Sequence, residues 1–140
     1  MPAEKPQTPF TDDAVGAVFA GYPDPARMRL LALRDMIFET AAETPAVGRV
    51  EETLKWGQPA YLTPDSKSGS TLRLGIPKSG GYAIFAHCQT SIISDFAQLF
   101  PGEFRFDGNR GALFRDDEAP DPRLRLLIRS GLTYHLKPRD

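Results

Sequence analysis

The stretch Thr71-Leu72-Arg73-Leu74-Gly75-Ile76-Pro77, followed after the turn 78–81 by Tyr82-Ala83-Ile84-Phe85-Ala86-His87, decides the fold class of this chain. Leu72, Leu74 and Ile76 alternate with small or charged residues, the period of two that turns one side of a strand toward a core. A second apolar run across a Gly-rich turn makes the pair a β-hairpin with one buried face.

Working outward, the segment Thr90-Ser91-Ile92-Ile93-Ser94-Asp95-Phe96-Ala97-Gln98-Leu99 predicts a helix over 91–99, with Thr90 a candidate cap. Phe104 to Phe114 then carries the Asp107-Gly108 turn signal between two more strands. Asp121 as cap and Pro122 at the first helical position open a closing helix whose stripe is Leu124, Leu127, Ile128 and Leu132. Upstream, Asp24, Pro25 and Pro45 bracket a long helix with Leu30, Leu33, Ile37 and Ala41 facing inward; Arg27, Arg34, Asp35, Glu39 and Glu43 occupy its polar side. A shorter helix, capped by Thr11, places Val15, Val18 and Phe19 at helical spacing. Residues 1–10 contain three prolines and read as a flexible arm ahead of one domain over 11–140. Helices, hairpins interrupted by a helix, and a closing helix give an α+β domain: an antiparallel sheet of hairpins packed with N-terminal and C-terminal helices, not a βαβ alternation.

Composition agrees with that class. A chain of 140 residues is one domain's worth, long enough for folding to bury about 68–70% of its unfolded surface. Apolar residues make up 41% and charged residues 25%, the proportions of an ordinary globular domain. A net charge of -1 and a pI near 6.1 argue against a general nucleic-acid binder, which needs clustered Lys and Arg to neutralise phosphates. Arg105, Arg110 and Arg115 do stand among Phe104, Phe106 and Phe114 around the Asp-Gly hairpin, a pattern of single-strand nucleic-acid stacking, but alternation turns the rings inward, opposite Arg105. Cys88 stands alone, which suits a reducing compartment, and no apolar run reaches the length of a membrane span. The expected location is the cytoplasm, with no membrane partner; oligomeric state is not legible.

Candidate chemistry is sparse. His87 and Cys88 are adjacent, so on a strand they point to opposite faces, and His87 is badly placed to activate the thiol. Cys88 is expected to be a small buried residue where strand gives way to helix. One Cys and two His, Cys88, His87 and His135, fall short of a zinc ligand set. No nucleotide-binding or hydrolase motif is present, and the chain is expected to be non-enzymatic. Asp35, Glu39 and Glu43 repeat every four residues along one helix face near Glu51 and Glu52, a row of oxygen donors for a hard cation or iron as well as an ordinary solvated face. The stretch 52–61 gathers the only Trp with Gly57, Pro59 and Tyr61, a rigid aromatic corner. Such a corner can line a pocket, with Lys55, Arg73 or Arg110 holding an anionic group, or anchor a tight turn.

Glu52 to Tyr61, Thr71 to Lys78, Phe85 to Thr90, Phe100 to Phe114 and Leu127 to His135 together resemble the YdhG-like family of small bacterial proteins, a domain of unknown function; the elements W-G-x-P-x-Y and F-D-G-N-R are the specific ones. The resemblance spans about residues 50 to 135. It implies a single α+β domain without a recognised activity, and the frataxin-like iron-chaperone label of some members implies handling of ferrous iron through surface carboxylates. The expectation is therefore a binding domain for iron or a small ligand: Asp35, Glu39 and Glu43 are the candidate metal ligands, and iron is the candidate cofactor. The alternative is a protein-interaction or small-molecule module using Lys55, Trp56, Tyr61, His87 and Arg110, with Trp56 partly exposed in a cleft.

Overall fold

The alternating hairpin sits at the centre of a six-stranded antiparallel sheet in a computed structural model that describes residues 8–136. Its strands are β1 (Glu51–Lys55), β2 (Gln58–Leu62), β3 (Leu72–Gly75), β4 (Tyr82–Ala86), β5 (Arg105–Asp107) and β6 (Gly111–Phe114), in the order β1-β2-β3-β4-β6-β5. Four helices accompany it: α1 (Asp13–Gly21), α2 (Ala26–Ala42), α3 (Ile92–Leu99) and α4 (Leu124–Leu132). This is the α+β architecture expected from the sequence. Among the described residues, no helix is long and apolar enough to cross a membrane.

Register divides the sheet into two unlike faces. Leu72 and Leu74 pair with Ala86 and Ile84, and all four are buried. Against that inner face pack Leu30, Leu33 and Ile37 of α2, Val15 and Phe19 of α1, and Leu127, Ile128 and Leu132 of α4. Each such side chain contributes about 1.5–3 kcal/mol by leaving water. Phe96 of α3 centres an aromatic cluster, with ring centroids 4.9 Å from Phe104 and 5.2 Å from Phe100. Phe104, Phe106 and Phe114 all turn to this side, as alternation predicted, while Arg105 is exposed.

The segment 51–62, expected as a rigid aromatic corner, is a hairpin: Glu51↔Leu62 through Lys55↔Gln58 pair around a Trp56-Gly57 turn. Both turn residues have positive φ, 56° and 76°, the backbone that a two-residue connection needs to match strand twist. The alternation was masked because its inner position is a carboxylate. Glu52 is buried and takes Arg34 in a fork, Nε to Oε2 at 2.6 Å and Nη2 to Oε1 at 3.0 Å, while the Tyr61 hydroxyl donates to Oε2 at 2.7 Å. Arg34, expected on the solvated side of α2, is fully buried between the rings of Phe10 and Phe38, 3.9 Å and 5.1 Å from their centroids. Its other protons go to the carbonyls of Thr8 at 2.5 Å and Pro9 at 3.2 Å. Residues 8–10 of the expected arm are thereby tied to the domain; residues 1–7 lie outside the described residues.

Helix starts differ by a residue or two from the sequence reading. Asp12, not Thr11, caps α1 by accepting from the amides of Ala14 and Val15. Asp24 does not cap α2: its carboxylate takes the Arg27 guanidinium at 2.7 Å. Asp121 accepts from the Arg123 amide and side chain just ahead of α4, and the guanidinium holds its carboxyl below the usual range.

Candidate functional site

The outer face of the sheet carries a groove of about 640 Å³ whose walls come from strands and turns alone, within the roughly 300–1,000 Å³ range of small-molecule sites. Two glycines shape its floor. On β3, Gly75 leaves room for the Gln58 side chain to lie flat across the strand; a Cβ there would stand 2.5 Å from Nε2. On β6, Gly111 does the same for Phe85, whose ring would be 2.8 Å from an added Cβ. Phe85 is thus laid across the sheet toward β6, opposite Gly111 in register, with its free side lining the groove.

Arg73 pairs in register with Phe85 and Ala60 on this outer face. Its Nη1 donates to Gln58 Oε1 at 2.7 Å, and its guanidinium carbon lies 5.7 Å from the Phe85 ring centroid. That partner is neutral, so the charge of a half-buried arginine is oriented but not cancelled. Lys78, from the β3–β4 turn, lines the groove with no ion pair among the described residues. Arg110 lines it too, held by Asp107 through Nη2 at 3.0 Å and 3.2 Å. Three cations and one carboxylate face the space, an excess of positive charge set over an aromatic surface.

Of the residues that the sequence offered to hold an anionic group, Arg73 and Arg110 line this groove. Lys55 shares the outer side of the hairpin, opposite Gln58. Trp56 neither anchors a turn to the core nor sits in a cleft: it projects from the hairpin tip at 90% exposure. Tyr61 is on the inner face and fully buried, and its phenol is pushed well above its usual range by burial and by the Glu52 carboxylate beside it. His87 lies past the end of β4, exposed, its Nδ1 accepting from the Gln89 amide at 3.1 Å. The five do not converge. Cys88, expected to be buried, is exposed, because β4 ends at Ala86 and the chain turns outward over 87–90 before α3. Arg73, a candidate holder of an anionic group from the sequence, lines the groove as well; its alternation in the opening stretch is the signal that it stands on the outer face.

The acidic row is drawn into the fold. Arg125 of α4 binds Glu39 at 2.8 Å and approaches Glu43 at 3.9 Å, and Asp35 is half-buried with one carboxylate oxygen lacking a hydrogen-bond partner. Among the described residues, no three His, Cys, Asp or Glu side chains are grouped as a metal ion would need. The other arginines of the β5–β6 region are paired with acids, Arg105 with Glu118 and Arg115 with Asp117 and Glu118.

No family model matches this chain, and no curated protein does. Among solved structures, the crystal structure of the Bacillus subtilis protein YdhG, of the DUF1801 family, superimposes with a TM-score of 0.58, covering 84% of this chain and 87% of that one at 17% identity. The likeness shows a common fold, the one that the sequence resemblance implied.

Proposed function

We propose that this domain is a binding module, not a catalyst, and that it holds a small anionic ligand in the outer-face groove. The observation that carries the reading is Arg73: a half-buried guanidinium aimed by a neutral carboxamide, 5.7 Å from an aromatic ring centroid, in a groove that Lys78 also lines. Arg34, by contrast, is met by a carboxylate, that of Glu52. Anions bound by such a group gain charge-assisted hydrogen bonds of about twice the strength of neutral ones. Iron handling through Asp35, Glu39 and Glu43 has less support, since Arg125 already engages two of the three.

Benzoate titrated into isotopically labelled protein tests the proposal. Amide shifts are expected to cluster at Arg73, Gly75, Phe85 and Gly111, and to vanish in Arg73→Met. Shifts that scatter over the surface, or that survive the substitution, would overturn it.

A further inference from the structure

The groove also constrains what kind of anion it takes. Resting on the reading just given, we infer that its ligand is a phosphate monoester carried on a planar ring.

The charge argument comes first. Arg110 is satisfied by Asp107 within the groove, so that pair is neutral as a unit. Arg73 and Lys78 remain, two positive charges without an acidic counterpart among the described residues. A singly charged ligand matches only one of them; a dianionic group answers both, the half-buried Arg73 and the exposed Lys78. Arginine supplies a planar fork and lysine a compact point charge, the two donor types suited to phosphoryl oxygens.

The shape argument is independent of charge. Gly75 and Gly111 carry no side chain, and the Gln58 and Phe85 side chains occupy the space a Cβ there would take. Phe85, held against Gly111 and lining the groove, puts an aromatic surface beside Arg73 against which a planar ring gains stacking. A phosphate held at Arg73, whose guanidinium is itself 5.7 Å from that ring centroid, places an attached ring over Phe85.

The experiment compares four probes by calorimetry and amide shifts: phenyl phosphate, benzoate, phthalate and inorganic phosphate. Near pH 7.5, phenyl phosphate is expected to bind about tenfold more tightly than benzoate or inorganic phosphate, and to weaken several-fold near pH 5, since a phosphate monoester takes up its second proton at about pH 6. The charged groups lining the groove are Arg73, Lys78, Arg110 and Asp107, and no histidine is among them, so the pH effect belongs to the ligand. Lys78→Ala is expected to bring phenyl phosphate down to the affinity of benzoate, and Gln58→Glu, which gives Arg73 an internal carboxylate, to weaken every anion. If benzoate equals phenyl phosphate, or phthalate does, or pH has no effect, the phosphate inference is overturned while anion binding stands. If no probe shifts the groove, both fall.

Discussion

Arg34 and Arg73 lie on opposite sides of one sheet and show what the same side chain becomes in two environments. Arg34, on the helix side, is fully enclosed: both carboxylate oxygens of Glu52, two backbone carbonyls and two aromatic rings satisfy it. It joins α2, β1 and residues 8–10, and it has nothing left to offer a ligand. Arg73, on the open side, has one neutral oxygen and part of one ring. Satisfaction separates a structural charge from an available one, and burial alone does not decide which is which.

Substitutions that break this contrast should have graded effects. The largest belongs to the inner face: Arg34→Met removes a partner and leaves Glu52 buried with an uncompensated charge, expected to lower unfolding stability in urea by about 3–5 kcal/mol, while Arg34→Met with Glu52→Leu recovers much of the loss.

Next comes alkaline pH. The phenols of Tyr61 and Tyr82 are both pushed up by burial, Tyr61 also by Glu52. Above the ordinary tyrosine value of 10.0, the unfolded chain releases protons that the folded chain keeps, so stability is whole below that pH and declines above it. The slope is about 1.4 kcal/mol per pH unit for each such tyrosine. Tyr61→Phe, followed by urea titrations between about pH 9 and 11, should flatten the decline.

Gly111→Ala forces the Phe85 ring off β6, with an expected loss of about 1–3 kcal/mol by overpacking and weaker benzoate binding. Arg73→Met sharpens the comparison most economically, since it should change unfolding stability by no more than about 0.5 kcal/mol yet abolish anion binding. Were it as destabilising as Arg34→Met, the two faces would not differ as described.

The legibility of the sequence follows the same division. Where the buried side of an element is apolar, as in 71–87, 91–99 and 124–132, periodicity alone predicts strand or helix, because the hydrophobic pattern and the backbone period coincide. Where the buried side carries a charge, the pattern misleads. Glu52 interrupts the alternation of 51–55, and Arg34 reads as solvated, because each looks polar until the other is in place 18 residues away. Cys88 is exposed for a simpler reason: β4 stops at Ala86, one residue short of the strand read through His87. The candidate ligand residues gathered from 52–61 were neighbours in sequence, and a hairpin sends such neighbours to two faces and a tip.

By itself, then, the sequence determined the α+β class, the 71–87 and 104–114 hairpins, the helix stripes and the inward turn of Phe104, Phe106 and Phe114, all of which rest on local period and side-chain polarity. Tertiary structure alone decided that Gln58, Arg73, Phe85 and Arg110, from four separate segments, share one groove. It also decided that Arg34 is enclosed while Arg73 is open. Both depend on strand order and register, which are set by how the inner face packs, and no residue's own chemistry encodes which distant partner will arrive to satisfy it.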